Sequence, residues 1–445
     1  MKLASPRDRA GRFVNWARTE TSTPSEWSRP TTEGEVAHAV DRARAAGTSV
    51  RVIGAGHSWS RIAVPEAVAM SLDAMAGDVR VDDARQTVTV PGGMRLRDLS
   101  AHLLRSGLSL PIVGSIQAQT VAGAIATGTH GSSLTHGNLS SLVTAVRVVA
   151  GTGEVVDIGR DDERLNALRV HLGALGVVTR VTLRVRAAGR LHQLIEHLPV
   201  EAVPDALPEI AASAEYVKVW WLAHASSAQV IRYTRTDDPV TRRPAAATSR
   251  WIDERVMHRS VFPALVRLQH RRPAVTAGIN ERLSRMYLGA ASQIGQDALM
   301  LNTPMPMRHR ETEAAVPMGT APEAVRRVLD LFQGGRPAVS FPLEIRFVRG
   351  DDAWMSPASV QDRGADTCQI GAYSTDGPDC TSYFDAFWRV MRPLGARPHW
   401  GKELDHTADE LRPLYCHMDR FTALRDQLDP QRVFGGEFHS RVLGR

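Results

Sequence analysis

Val50-Arg51-Val52-Ile53-Gly54-Ala55-Gly56-His57-Ser58-Trp59-Ser60 reads as a β-branched strand that runs into a Gly-x-Gly turn. Such a turn gathers several backbone N–H groups around one point and suits phosphate oxygens. The third glycine of a dinucleotide fingerprint is missing, and Ser58-Trp59-Ser60-Arg61 is a poor helix start, which argues against a Rossmann unit. His57 is then either a turn histidine bonded to backbone or a group that meets the ligand.

About 60 residues on comes Gly114-Ser115-Ile116-Gln117-Ala118-Gln119-Thr120-Val121-Ala122-Gly123-Ala124-Ile125-Ala126-Thr127-Gly128-Thr129-His130-Gly131-Ser132-Ser133. It is almost uncharged and built of small residues. Backbone can approach a bulky ligand closely there, with hydroxyls and N–H groups to meet its polar atoms. A tight crossing of two helices would ask for the same composition.

Around these two segments, short strands alternate with helices. Helical spacing predicts Glu33 to Ala46, stopped by Gly47, and Leu96 to Ser106, stopped by Gly107. Strands are expected at Val68–Leu72, Val79–Asp82, Thr87–Val90 and Val177–Val185, with a hairpin of Val143–Ala150 and Glu154–Ile158. Composition shifts at Arg186-Ala187-Ala188-Gly189. Beyond it, Tyr216–Leu222 and Gln229–Tyr233 read as paired strands, Thr236–Arg250 as an exposed excursion and Ser340–Val348 as a strand. Pro322–Phe332, Tyr383–Met391 and Asp419–Leu428 read as helices. The pattern predicts an α+β protein of two interleaved parts.

The 445 residues carry a net charge of 54 − 48 = +6, with no run of five or six basic residues, so a nucleic-acid partner is not expected. No apolar stretch has the length of a membrane span, and no apolar segment follows the charged start as a secretory signal requires. A cytoplasmic protein is expected. Cys368, Cys380 and Cys416 have no metal or disulfide spacing and read as isolated buried thiols, and no metal site is expected. Lys2, Lys218 and Lys402 are the only lysines, so a lysine inside a motif carries more information here than an arginine does.

Alternation along a strand puts Glu344 and Arg346 on one face and Leu343, Ile345 and Phe347 on the other. The pair is either a surface ion pair of little worth or a buried site. Lys402 follows His399-Trp400-Gly401.

GAGHSWS at 54–60 and GSIQAQTVAGAIATGTHGSS at 114–133 together resemble the two flavin-cradling loops of the vanillyl-alcohol-oxidase-type FAD enzymes. LGALGVVT at 172–179, PLEIRF at 342–347, RPHWGK at 397–402 and the tail LRDQLDPQRVFGGEFHSRVLG at 424–444 narrow the resemblance to the sugar-1,4-lactone oxidase branch. That branch includes gulonolactone and arabinonolactone oxidases and the alditol oxidases. The resemblance runs from about Asn15 to the C-terminus and is weakest over 200–320.

The resemblance implies an FAD-binding (PCMH-type) domain over 1–188, a substrate or cap domain with a central antiparallel sheet over 189–397, and a segment 398–445 that returns to the first domain. It places His57 where a ring nitrogen is bonded to the flavin 8α-methyl, a link that retains FAD and makes it a stronger oxidant. It implies that Gly54, Ala55, Gly56 and Ser58 meet the pyrophosphate. Ser115, Thr120, Gly123, Thr127, Thr129 and Gly131 would line the second side, and Gly176 and Val177 the adenine edge. Glu344, Arg346 and Ser115 would orient the substrate, while Lys402 offsets charge near the reduced ring. His399 is a flavin neighbour or a packing residue, and Gly114 matches a position that controls oxygen access.

The implied activity is oxidation of an alcohol carbon of a sugar-1,4-lactone or polyol by hydride transfer to flavin N5, with O2 as acceptor and hydrogen peroxide as product. The alternatives are a flavin dehydrogenase with another electron acceptor, a tailoring oxidase for a larger alcohol or glycoside, and a binding protein without redox chemistry. The chain departs from the family's Asn-x-Tyr ending with Gly436-Glu437-Phe438-His439, which removes a hydroxyl.

Overall fold

The first 190 residues alternate runs of β-branched residues with amphipathic helices, and in the computed structural model they form a three-stranded and a five-stranded sheet beside two two-stranded ribbons. The structure describes residues 6–75, 77–241, 260–286, 291–303, 307–333, 337–361, 364–375, 377 and 379–444. A parallel sheet holds β1 (Glu26–Ser28), β2 (Val50–Val52) and β3 (Val68–Met70) in the order β1-β3-β2. An antiparallel sheet holds β4 (Arg80–Asp82), β5 (Thr87–Pro91), β6 (Val143–Val149), β7 (Val155–Ile158) and β8 (Val177–Arg184) in the order β7-β6-β8-β5-β4.

Three of the helices in this part shape the site side. In α1 (Glu33–Ala45) the Thr32 side chain accepts from Glu35 N, and Glu33 and Glu35 sit at the positive end of the helix. Gly47, at φ +60°, follows its end. Its apolar face (Val36, Ala39, Val40, Ala43) packs on Val50, Met70, Val149 and Val177. The α2 helix (Leu96–Arg105) and the short α3 (Val121–Ala126) bury Leu96, Leu99, Leu103, Val121 and Ile125 in the largest core.

From Arg190 onward the chain builds one eight-stranded sheet. It contains β9 (Arg190–Pro199), β10 (Tyr216–Leu222), β11 (Ser227–Thr236), β12 (Ala291–Gln296), β13 (Arg310–Pro317), β14 (Pro342–Val348), β15 (Thr367–Ser374) and β16 (Arg397–Pro398). Their order is β12-β9-β11-β10-β14-β15-β13-β16, and every pair is antiparallel.

Alternation divides the middle of this sheet into two faces of opposite character. Val219, Trp221, Leu343, Ile345, Phe347, Ile370, Ala372 and Ala314 pack under the helices α4 (Val203–Ala212), α5 (Ala321–Asp330) and α6 (Cys380–Met391). The other face carries Lys218, Trp220, Glu344, Arg346, Gln369, Tyr373, Glu311 and Glu313, and of these all but Trp220 and Arg346 are buried. A buried sheet face with this charge marks the site.

The tail returns to the first part. In α7 (Met418–Leu428) and α8 (Glu437–Leu443), Phe421, Leu424, Phe438 and Val442 enter the same core as Leu96 and Val121. Arg51 donates to Phe434 O at 3.0 Å, Gly435 O at 2.6 Å and His439 Nδ1 at 3.0 Å. His439 in turn donates through Nε2 to Leu172 O at 2.8 Å. The buried guanidinium of β2 thus anchors the last helix, and Phe438 serves as core.

Most of the elements expected from periodicity lie within a few residues of those observed. Several strands escaped it, among them the long Arg190–Pro199, Arg310–Pro317 and Thr367–Ser374 and the shorter Glu26–Ser28 and Ala291–Gln296. Cys368 and Cys380 are buried, but Cys416 is exposed, so the expectation of three buried thiols fails at the third. Asp237 to Thr241 are exposed, and the rest of the expected excursion, 242–250, lies outside the described residues. No helix among the described residues is long and apolar enough to cross a membrane.

Candidate active site

Glycine's freedom at φ +67° lets Gly56 turn the chain sharply after β2, and the loop it forms borders a deep cleft. Gly54, Ala55, Gly56, His57, Ser58, Thr120, Gly123, Thr127 and Gly176, all named from the sequence, border it. The Gly54 and Thr120 segments touch so closely that a Cβ on Gly54 would lie 2.5 Å from Thr120 Oγ1. Thr120 itself caps α3, its side chain accepting from Gly123 N. Gly92, Gly93 and Arg95 complete the border, and Arg95 donates to Ala118 O at 3.0 Å. Gln119 Oε1, also at the cleft, is buried with no hydrogen-bond partner among the described residues. A cleft with a Gly-x-Gly nest, the arginines Arg51 and Arg95 and an unpartnered polar atom fits a long phosphate-bearing ligand such as FAD.

Five of the residues expected at the flavin lie elsewhere. Val177 points into the core against α1, because the strand's alternation gives the cleft to Val178 instead. Thr129 does not border the cleft; its hydroxyl accepts from Gln119 Nε2 at 2.9 Å, so it positions a lining residue. Ser115 and Gly131 line a separate small cavity with Lys218 and Arg346. Gly114 is packed so that a Cβ would lie 2.9 Å from Thr129 Cγ2.

His57 stands on the rim. Its ring stacks on Trp16 at 5.4 Å between centroids, and Trp16 in turn meets Trp59 and His309. Burial, then the charges of Arg95 and Lys402, pull its pKa down to about 4, so the imidazole is neutral near pH 7 and keeps a free lone pair.

The next loop is tied to the same turn. Trp59 N donates to Gly401 O at 2.8 Å, and Ser60 Oγ donates to Trp400 O at 2.6 Å. These bonds set Lys402 beside the His57 loop, its ammonium 4.6 Å from the centre of the Trp59 ring. Lys402 pairs with Glu311 and lies 3.9 Å from Glu313. Glu313 bonds His130 Nε2 at 2.6 Å. Burial pushes the Glu311 carboxyl up, against the pull of Lys402. Burial raises Glu313 too, but His130, His399 and Lys402 overcome it and hold that carboxyl well below its usual range. His399 accepts from Gly401 N at 3.0 Å and lies 5.5 Å from the His130 ring; burial holds its pKa near 3.

Glu344 is 1% exposed. It accepts from Trp220 Nε1 at 2.7 Å, Tyr373 OH at 2.7 Å and Arg346 Nη2 at 2.6 Å, with Lys218 Nζ at 3.7 Å. Burial alone would raise this carboxyl, but Arg346 and Lys218 reverse the effect and hold it at about 2. Arg346 also donates to Ser115 Oγ at 2.8 Å. The alternative of a surface ion pair for Glu344 and Arg346 is excluded.

Tyr373 joins the two groups: its hydroxyl bonds Glu344, and Lys402 lies 5.9 Å from its ring centre. In register, Gly371 falls between Glu344 and Glu313, and a Cβ there would lie 2.9 Å from the Tyr373 ring. Sequence reasoning missed Lys218, Trp220, Tyr373, Glu311, Glu313 and His130. The rarity of lysine and the shared alternation with Trp220 were the signal for Lys218; Glu311-Thr312-Glu313 repeats the alternation of Glu344-Ile345-Arg346. Among the described residues no cluster of His, Cys, Asp and Glu could hold a metal ion.

Comparison with known proteins gives a consistent picture. The family described as D-arabinono-1,4-lactone oxidase matches residues 181–442, and the family described as FAD binding domain matches 24–159. Over 432 residues the chain is 33% identical to L-gulono-1,4-lactone dehydrogenase of Mycobacterium tuberculosis, covering 97% of this chain and 99% of that protein. It is 31% identical to alditol oxidase of a Streptomyces species over 441 residues, covering 97% and 98%. Identity to L-gulonolactone oxidase of Bos taurus is 27% over 441 residues, again covering 97% and 98%. Among solved structures, cholesterol oxidase from B. sterolicum superposes with a TM-score of 0.84 at 17% identity, over 97% of this chain and 96% of that one, a likeness of fold. The expected α+β arrangement with a PCMH-type FAD-binding part holds.

The buried imidazoles set a pH dependence of stability. His57, His171 and His309 are held at about 4 and His399 at about 3, each chiefly by burial, whereas an unfolded histidine titrates near 6.5. Between pH 6.5 and 4 the unfolded chain therefore binds protons that the folded chain refuses, and stability falls as pH falls, by up to ~1.4 kcal/mol per ring per pH unit. The thermal unfolding midpoint should drop steeply over that window; a flat midpoint would show that these rings are solvated.

Proposed function

Because the chain belongs to the D-arabinono-1,4-lactone oxidase family, an FAD-dependent oxidoreductase of sugar lactones and alditols, we propose that it binds FAD covalently through His57 and oxidises an alcohol carbon held between Arg346 and Lys402. The observation that carries this reading is the buried, ionised Glu344–Arg346 pair with Ser115, joined through Tyr373 to a lysine beside the His57 loop. On this reading residues 1–188 and 398–445 hold FAD and 189–397 hold the substrate.

Bound in the cleft between segments 54–58 and 120–127, FAD would supply the redox chemistry, taking two electrons from the alcohol carbon and passing them to O2 to give hydrogen peroxide. The chain's residues bind and orient. With both oxygens occupied and its carboxyl held near 2, Glu344 does not act as a base. It fixes the plane of Arg346, which with Ser115 holds the substrate oxygens in place. Lys402 supplies positive charge where negative charge develops. Glu311, pushed up by burial and next to Lys402, can hold the proton released by the hydroxyl. Neutral His57 has the lone pair that a bond to carbon requires.

The name of the mycobacterial relative favours a second reading for the acceptor, a dehydrogenase that passes electrons to a partner other than O2. Hydrogen peroxide formed in stoichiometric amounts with lactone consumed in air is the expected result, and sustained turnover with a dye but no peroxide would establish the second reading instead.

Arg346→Lys should lower kcat/KM for the best lactone about 10²- to 10³-fold, the effect of losing one aimed donor, while the flavin spectrum stays unchanged. A loss below tenfold would remove Arg346 from the substrate. Mass spectrometry of the denatured wild-type protein should show the mass of the chain plus one FAD, and His57→Ala should show the chain alone. Flavin that leaves the wild-type protein on denaturation would disprove the covalent link.

A further inference from the structure

Lys218 of β10 lies directly opposite Arg346 of β14 in the strand register, on the same buried face. Like charges opposed across two strands repel, and burial makes the arrangement costlier. Lys218 is 6% exposed. Its ammonium donates to Thr303 Oγ1 at 2.9 Å, sits 4.4 Å from the centre of the Trp220 ring and lies 3.7 Å from Glu344 Oε1. The second oxygen of Glu344 is already taken by Arg346 and Tyr373. Two cations therefore share one carboxylate at this end of the face.

Beside them is a cavity of about 30 Å³, bordered by Ser115, Gly131, Lys218, Leu301 and Arg346. It has room for a single water-sized group. An ammonium and a guanidinium can only donate hydrogen bonds. A carbonyl or carboxylate oxygen, which only accepts, matches both at once, whereas a hydroxyl placed there must also find an acceptor for its own proton. Burial also pulls the Lys218 pKa down to about 8, against the charge of Glu344, so an added acceptor oxygen would favour the charged ammonium.

We propose that Lys218 determines specificity, and that with Arg346 and Ser115 it holds the carbonyl or carboxylate oxygen of the substrate, selecting lactones or aldonates over alditols. The assignment rests on the reading that Arg346 and Ser115 face the substrate. It assigns a role to the second of the chain's lysines, which the proposed chemistry does not otherwise use.

The test compares the wild-type holoprotein with Lys218→Met and Lys218→Arg. With L-gulono-1,4-lactone, Lys218→Met should raise KM at least tenfold with kcat within threefold, and Lys218→Arg should restore most of the loss. For xylitol, which shares any loss from a less well-held Glu344, KM should rise at least fivefold less than for the lactone. Two ligands with no carbinol to oxidise separate the oxygen sources and need no turnover: γ-butyrolactone presents the carbonyl and acetate the carboxylate. Binding of one or both, read from the perturbed flavin absorbance, should weaken at least tenfold in Lys218→Met, and the one that weakens names the group. Equal KM increases for lactone and xylitol, or unchanged binding of both ligands, would overturn the role of Lys218. If Lys218→Met is unstable, Lys218→Gln gives the same comparison. Wild-type protein that neither lactone nor xylitol reduces anaerobically would instead overturn the underlying reading of the site.

Discussion

An ionised carboxylate in the protein interior constrains everything around it. Leaving Glu344 buried without partners would be costlier than any single core contact could offset. Here three hydrogen bonds and a second cation, from Trp220, Tyr373, Arg346 and Lys218, hold it charged. Those four side chains come from three neighbouring strands, so the eight-stranded sheet must have its register correct before the charge is satisfied. The apolar face beneath, packed on three helices, fixes that register, because a slip of one residue would exchange the two faces. The core and the site are thus two sides of one alternation.

A second constraint joins the lobes. The bonds from Trp59 N and Ser60 Oγ to Gly401 and Trp400 make the His57 turn and the Lys402 turn one rigid unit. The indole of Trp59 adds a bond to His309 O at 2.7 Å, just before the strand that carries Glu311 and Glu313. Placement to within a few tenths of an ångström governs the rate of a hydride transfer, and short backbone links of this kind provide it better than long side chains do.

What was legible in the sequence follows from locality. Helix α1, the hairpin of β6 and β7, and strands β10 and β14 are set by short-range patterns and turn residues, and they were visible as such. Strand β13 was hidden because its buried polar face puts Glu311 and Glu313 where alternation normally predicts solvent. The cleft residues of the two glycine-rich segments were legible because close backbone approach leaves a compositional mark. At Val177 the side chain enters the core, and alternation leaves the cleft face of the strand to Val178. Tyr373 left no local mark: its role exists only because β15 lies between β14 and β13, a pairing that no short stretch specifies.

The charges on the polar face are not evenly mixed, and their order bears on how a substrate lies. Lys218 and Arg346 occupy one end, and Glu311, Glu313 and Lys402 the other. Gly371 falls between them in register and projects no side chain, with the ring of Tyr373 in the space that a Cβ would claim. On the proposed reading, a sugar lactone has an acceptor at one end and carbinols along its length, and a site graded in this way favours a single direction: the oxo group toward Lys218, the reacting carbon toward Lys402. An alditol, with hydroxyls at both ends, gains nothing from the gradient and could bind either way round. The discrimination then resides in direction of binding rather than in shape, which is why one lysine opposite Arg346 can set it.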